Sequence, residues 1–193
     1  MKERILHFLY KNNGRVVSGT TLSEHLGVSR VAVWKHIKKL KQSGLPVVST
    51  SSGYILEHSG DLLLPFCFAD QQHQIYHFME TASTMDKAKE LAREGAPHLS
   101  LVTSERQTGG RGRLNREWHS QTGGIWCTLI LRPTLPFAYT FQLNFAASVA
   151  MVESIRKETG IEATVKWPND ILAGRKKIAG LLSEMETHGD MLS

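Results

Sequence analysis

"SERQTGGRGRLNREW", residues Ser104–Trp118, alternates glycine with arginine at Gly110, Arg111, Gly112 and Arg113, then adds Arg116 and Trp118. Glycine gives up backbone entropy in a helix, so the stretch is a poor helix former. Its guanidinium groups repel one another unless something anionic gathers them. Glycines let a backbone approach a ligand closely, and arginines offer a forked donor to carboxylate or phosphate. No Gly-Lys-Ser/Thr follows at the spacing of a phosphate-binding P-loop. The third glycine and acidic partner of a dinucleotide fingerprint are also missing. An RGG-like RNA-binding tract is the bland alternative, but the segment occurs once and leads through Trp118 into a strand. The pattern predicts a flexible loop that closes on an anion.

The flanks of this loop read as a mixed α/β layer domain. "QIYHFM" is a strand. "STMDKAKELAREG" is a helix with Ser83 or Thr84 as cap and Gly95 as stop. "LSLVTSERQ" and "GGIWCTLILRP" are strands on either side of the loop. "TFQLNFAASVAMVESIRKETG" is a long helix with an apolar face that includes Leu143, Ala147, Ala150, Val152 and Ile155. "ATVKWPNDILAGRKKIAGLLSEME" supplies a strand, a turn at Trp-Pro-Asn-Asp, and a further strand over Ile178–Met185. The closing residues resemble a hairpin turning at His188-Gly189-Asp190 and cut in its second arm. An unpaired edge of that kind is a liability, and the chain is expected to be a piece of a longer one.

Toward the N-terminus the pattern changes. Ile5, Leu6, Phe8 and Leu9 line one side of a short helix ended by Asn12-Asn13-Gly14. "TTLSEHLG" is a second helix, capped by Thr20 or Thr21, with Leu22, His25 and Leu26 inward. Gly27 breaks it, and Ser29 caps a third helix in which Val33, Ile37 and Leu40 recur at helical spacing. Trp34 is expected to pack beside that stripe. Two helices around a tight glycine turn match a helix-turn-helix, and "VVSTSSGYIL" adds the two strands of a wing. Such a third helix enters the major groove by its N-terminal end. Thr21, Ser29, Arg30 and Lys35 are therefore candidates for base or phosphate contact, with Lys38, Lys39 and Lys41 supplying charge to the backbone. "HSGDLLLPF" then reads as a linker. The expected division is a winged helix over residues 1–60, a linker over 61–73 and an α/β (α+β) domain over 74–193.

Charge follows the same division. Residues 1–60 hold nine Lys/Arg against three Asp/Glu, a net of +6, whereas residues 61–193 hold fourteen against fifteen, a net of −1. The basic excess points to a polyanionic partner for the first part alone. Hydrophobic residues make up 41% of the 193, enough for a core. Cys67 and Cys127 are too few for a disulfide framework, which suits a cytoplasmic protein. Cys127 is expected in the core. No signal peptide or run of about 20 apolar residues is present. His73 and His77 lack a third ligand, so no metal site is expected.

A second cationic segment, "GRKKIAG" over Gly174–Gly180, follows "KWPND", which brings Asp170 close to Lys177 in sequence. "GGRGRLNREW", "KWPND" and "GRKKIAG", in that order behind a winged helix, resemble the bifunctional biotin–protein ligase and biotin operon repressor family of bacteria. The resemblance covers nearly the whole chain. It implies a ligase-type mixed-sheet domain and an enzyme that joins biotin to AMP with ATP and Mg²⁺. The biotinyl group would then pass to a lysine of a biotin carboxyl carrier protein, that of acetyl-CoA carboxylase. It also implies that the adenylate promotes a homodimer that binds duplex operator DNA.

By the same resemblance the biotin site would comprise Ser83, Thr84, Met85, Gln107, Arg111, Gly112, Arg113, Lys177 and Gly180. Arg111, Arg113, Arg116, Trp118 and Lys177 would face the nucleotide, and Lys177, Arg111, Arg113 and Asp170 would carry the chemistry. Met85 stands where relatives often have Asn, and Leu114-Asn115 replaces a common Arg-Gly. The alternatives are a lipoate-type ligase and a winged-helix regulator that only senses its ligand.

Overall fold

The computed structural model describes residues 1–57, 62–68, 75–136, 139–188 and 191–192. Its first part is built on α1 (Lys2–Lys11), α2 (Gly19–Leu26) and α3 (Arg30–Gln42), followed by β1 (Val47–Ser49) and β2 (Tyr54–Leu56). Ile5, Leu6 and Leu9 of α1, Leu22 and Leu26 of α2, and Val33, Ile37 and Leu40 of α3 are buried in one cluster. The cap of α2 is Ser18, ahead of the expected threonines: its backbone is extended and its Oγ accepts from Thr21 N at 3.0 Å. That geometry satisfies a helix N–H that would otherwise lack a partner. Gly27, with φ 67°, turns the chain, and Ser29 caps α3 by accepting from Ala32 N at 3.2 Å. His25 is not inward. It is exposed, with its ring centroid 4.1 Å from that of Phe8.

β1 and β2 pair antiparallel as the wing, and Val17 joins them by exchanging backbone hydrogen bonds with Tyr54 at 2.9 and 2.8 Å. Leu62 and Leu64, within the stretch expected to be a linker, are buried in the same core as the three helices. Phe66 stacks on His7 with centroids 4.9 Å apart. Thr103 Oγ1 donates to Leu63 O at 3.1 Å, which ties this segment to the second part.

In that part β3 (Ile75–Phe78), α4 (Thr84–Arg93) and β4 (Ser100–Ser104) form a parallel strand–helix–strand unit, and β5 (Trp126–Ile130) pairs antiparallel with β4. β4 lies in the middle of this sheet, and α4 covers β4 and β5 through Ala88. Ile130 joins that cluster and Thr128 bonds to α4, so the even residues of β5 face the helix. Side chains alternate along a strand, which puts Cys127 on the opposite, exposed face instead of in the core. Both cysteines are free.

α5 (Thr140–Thr159) ends at Gly160 and packs on a second sheet of β6 (Ala163–Lys166), β7 (Asp170–Ala173) and β8 (Lys176–Gly180), antiparallel in that order. Met151, Val152 and Ile155 meet Ala163 and Ile171. Ala147 and Ala150, expected on the buried face, are exposed. They stand about 140° and 160° around the helix from Val152. β8 stops at Gly180, short of the strand expected to Met185. Asn169 bonds both backbone groups of Leu181 at 2.8 and 2.9 Å, and Ser183 Oγ donates to Asn144 Oδ1 at 3.1 Å, so the chain leaves the sheet.

At the end, Thr187–His188 pair with Met191–Leu192 as short strands β9 and β10. The Gly189-Asp190 turn lies outside the described residues, as does His73, and with it the His73/His77 pair. His77 itself pairs with Glu105 at 2.8 Å. No described helix is long and apolar enough to cross a membrane.

Candidate active site

Ser83 caps α4, its Oγ accepting from Met85 N at 3.2 Å. The next residue, Thr84, gives both its N–H and its hydroxyl to Gln107 Oε1, at 2.7 and 3.0 Å, and accepts from Thr128 Oγ1 at 2.9 Å. Gln107 Nε2 donates to Ser120 Oγ at 2.9 Å. Ser83, Thr84 and Ser120 are buried, so this is a neutral polar network fixed by its own bonds. It brings together Ser83, Thr84 and Gln107, named from sequence, and adds Thr128 and Ser120, which carried no sequence signal. Met85 is half-buried, and its thioether is at most a weak acceptor where an Asn would offer an amide.

The glycine–arginine stretch is not a floppy loop. Gln107 N donates to Ser120 O, Trp118 N to Gly110 O and Gly112 N to Arg116 O, at 2.9, 2.9 and 2.8 Å, so residues 107–120 form a narrow laddered hairpin. Gly110 is required where the arms meet: a Cβ there would lie 2.5 Å from Trp118 O. Leu114 and Asn115 form the tip with φ of 57° and 54°, a left-handed conformation that Asn tolerates and Leu does not favour. Arg116 is exposed beside that tip.

The two central arginines part company. Arg111 forks onto Asp86 at 2.7 and 3.0 Å and onto Glu184 at 3.2 and 3.3 Å. Glu184 also pairs with Lys89. The Arg111 hydrogen bonds hold the Asp86 carboxyl below its usual range. Burial would push Glu184 up, but hydrogen bonds from Lys89 and Arg111 outweigh it and hold that carboxyl low. The same two acids push the Arg111 guanidinium up. Arg113 points the other way, donating to Asn169 Oδ1 at 3.2 Å. Arg111 is thus a clasped cation, and Arg113 is the exposed one nearer β7 and β8. Asp86, Asn169 and Glu184 were missed in sequence. Asn169 stood unassigned inside "KWPND", while Asp86 and Glu184 are separated from Arg111 by 25 and 73 residues.

Lys177 and Asp170 meet as expected, Nζ to Oδ1 at 2.6 Å, and the Lys177 ammonium stands 4.7 Å from the centroid of the Trp118 ring. A β-bulge arranges this. Leu172 pairs with Lys177 but Ile171 pairs with Ala179, leaving Ile178 as the extra residue. Residues three apart on a regular strand face opposite ways. The bulge returns Lys177 and Gly180 to one face, with Asp170 opposite Gly180. A Cβ on Gly180 would lie 3.1 Å from Lys177 Cε and 3.2 Å from Trp118 Cη2. Lysine, carboxylate, indole and a bare backbone therefore share one corner, with Arg113 linked to it through Asn169. Among the described residues no three His, Cys, Asp or Glu side chains gather as a metal site.

On the first part, Arg30, Lys35, Lys38 and Lys39 are exposed along α3. Thr21 Oγ1 and Ser18 Oγ are 2.8 Å apart, so that threonine is engaged at the start of α2. Trp34 does not pack as expected: it is 52% exposed, with Lys38 Nζ 5.4 Å from its ring centroid.

Residues 77–191 match the model of the biotin/lipoate A/B protein ligase family, and residues 2–55 match that of an HTH domain. The Bacillus subtilis (strain 168) protein named bifunctional ligase/repressor BirA is 40% identical over 199 residues, covering 98% of this chain and 61% of that protein. The Escherichia coli (strain K12) protein of the same name is 30% identical over 183 residues, covering 90% of this chain and 55% of its own length. Among solved structures, the biotin protein ligase from Aquifex aeolicus in complex with biotin and ATP is similar with a TM-score of 0.53 and 33% identity, covering 61% of this chain and 48% of that one. The chain thus spans 55 to 61% of the length of these curated relatives. With the ligase model matching well over half of its residues, the chain belongs to the biotin/lipoate A/B protein ligase family.

Proposed function

We propose that the protein adenylates biotin with ATP, transfers it to a lysine of a biotin carboxyl carrier protein, and represses operator DNA through its winged helix when the adenylate is bound. The observation that carries this reading is the corner formed by Lys177, Asp170, Trp118 and Gly180, with Arg113 at its edge. The Aquifex relative, solved with biotin and ATP, supports the choice of ligands.

In the first step a biotin carboxylate oxygen attacks the α-phosphorus of ATP. The bond from that phosphorus to the bridging oxygen breaks, and pyrophosphate leaves. Two anions must approach each other, so fixed cations aimed at the developing charge lower the barrier. Lys177 would bridge carboxylate and α-phosphate, oriented by Asp170, and Arg113 would turn from Asn169 to the phosphate. Mg²⁺ would arrive with the β- and γ-phosphates, as its preference for phosphate oxygens and water suggests.

The ureido ring of biotin is uncharged and suits the neutral groups at Ser83, Thr84 and Gln107. Gly180 leaves room for ligand beside the strand, and the hairpin would keep water from the mixed anhydride. In the second step the acceptor lysine attacks the acyl carbon, AMP leaves, and the amine gives up a proton to water. Arg111 serves in this scheme to anchor the hairpin, and Arg116 and Trp118 flank the nucleotide. The repressor half adds a ligand-promoted homodimer that sets two winged helices on two half-sites. Incubation with biotin, Mg²⁺ and α-labelled ATP tests the reading: pyrophosphate release with a retained adenylate is expected, and the same products from lipoate instead of biotin would refute it.

A further inference from the structure

α3 carries two opposed faces of unlike character. Val33, Ile37 and Leu40 are at most 1% exposed, whereas Val31 and Trp34 are 63% and 52% exposed. At about 3.6 residues per turn, positions 31, 34, 35 and 38 form one i, i+3, i+4, i+7 row. Two members are apolar and two are lysines, with Arg30 at the start of the helix. Lys38 holds its ammonium near the Trp34 ring. A face that served only for solubility would gain nothing from an exposed indole and an exposed isopropyl group. Lysine and arginine alone would satisfy phosphates.

Charge complementarity names the occupant as duplex DNA: this part of the chain has a net charge of +6, from nine Lys/Arg and three Asp/Glu in residues 1–60. The major groove offers an apolar feature that side chains read directly, the C5-methyl of thymine. Val31 and Trp34 lie in the first half of α3, the end that reaches base edges in a helix-turn-helix. We propose that Trp34, with Val31 beside it, reads thymine methyl groups in the major groove, so that part of the sequence preference of the protein is carried by thymine methyls. The inference rests on the DNA-binding half of the proposed function.

The test begins with selection of a preferred duplex from a random library by the protein, followed by fluorescence-anisotropy titration. Each thymine of the selected duplex is then replaced by deoxyuridine, which removes the methyl and keeps the hydrogen-bonding edge. At one or two positions the protein should lose about fourfold in affinity, the worth of roughly one buried methyl. Trp34→Ala and Trp34→Gln should bind the unsubstituted duplex more weakly, keep the salt dependence set by the cations, and lose nothing further on deoxyuridine substitution. Helix content by circular dichroism should be unchanged, since the side chain is exposed.

Indifference of the wild-type protein to every deoxyuridine, or an undiminished methyl effect in both variants, overturns the inference. Salt-dependent binding without any selected sequence also overturns it and leaves DNA binding standing. Absence of duplex binding even at low salt removes the DNA-binding reading itself, and this inference with it.

Discussion

Replacing Glu184 by Gln removes one negative charge and nearly no volume from the clasp around Arg111. Glu184 and Arg111 are 25% and 24% exposed, so solvent screens them only in part. A hydrogen bond to a charged partner contributes about 1.5–3 kcal/mol net, and partial exposure lowers that, leaving roughly 2 kcal/mol for the variant. Asp86 is 54% exposed, and Asp86→Asn should cost no more than about 1 kcal/mol. Urea denaturation of Glu184→Gln, Arg111→Gln and the double variant forms a cycle whose coupling energy should be about 1 kcal/mol. The pH dependence follows from the same bonds. Both carboxyls are held low in the folded protein, so their contribution is full above the unfolded value near 4 and is lost as pH falls through the folded values. Between about pH 5 and 2 the wild-type protein should therefore lose stability more steeply than Glu184→Gln. Additive effects within about 0.3 kcal/mol, or parallel pH curves, would refute the clasp.

Lys177→Ala should abolish pyrophosphate release in the labelled-ATP assay and leave biotin binding measurable by calorimetry, because the network at Thr84 and Gln107 is neutral. Arg113→Ala should allow adenylate to form but release it, seen as free biotinyl-AMP in the filtrate. Gly110→Ala should cost about 1–3 kcal/mol in thermal denaturation, because its Cβ would meet the Trp118 carbonyl, a backbone atom that cannot swing aside. Lys39→Ala should weaken all duplexes alike and make the salt slope shallower by about one unit, whereas Arg30→Ala should blunt sequence preference.

Local chemistry was legible in the sequence, and pairing at a distance was not. The break at Gly27, the cap at Ser29, the stripe of Val33, Ile37 and Leu40, and the stop at Gly95 follow from propensities acting over a few residues. Lys177 and Asp170 were adjacent enough in sequence to be matched. The fork from Arg111 to Asp86 and Glu184 joins three separate elements, and an isolated acid in a helix's first turn reads as ordinary capping charge. The hairpin ladder was hidden because glycine and arginine suggest mobility, while its backbone bonds do not depend on side-chain type. Ala147 and Ala150 show the limit of periodicity: alanine suits either side of a helix, so it does not reveal which side meets the sheet.

The bulge at Ile178 has a consequence for how this chain can vary. Ile178 is the unmatched residue of β8 and is 44% exposed, so many side chains could stand there in solvent. Length is another matter. Removing Ile178 would restore regular alternation with the lysine and the glycine two apart and still on one face, whereas inserting one more residue between them would turn one of the two to the other face. After such an insertion the Lys177 ammonium would no longer share a face with Gly180 and the Trp118 ring, with every side chain between intact in kind. The segment is therefore permissive to substitution at Ile178 and intolerant of insertion. Gain of a single codon here should act like loss of the lysine itself.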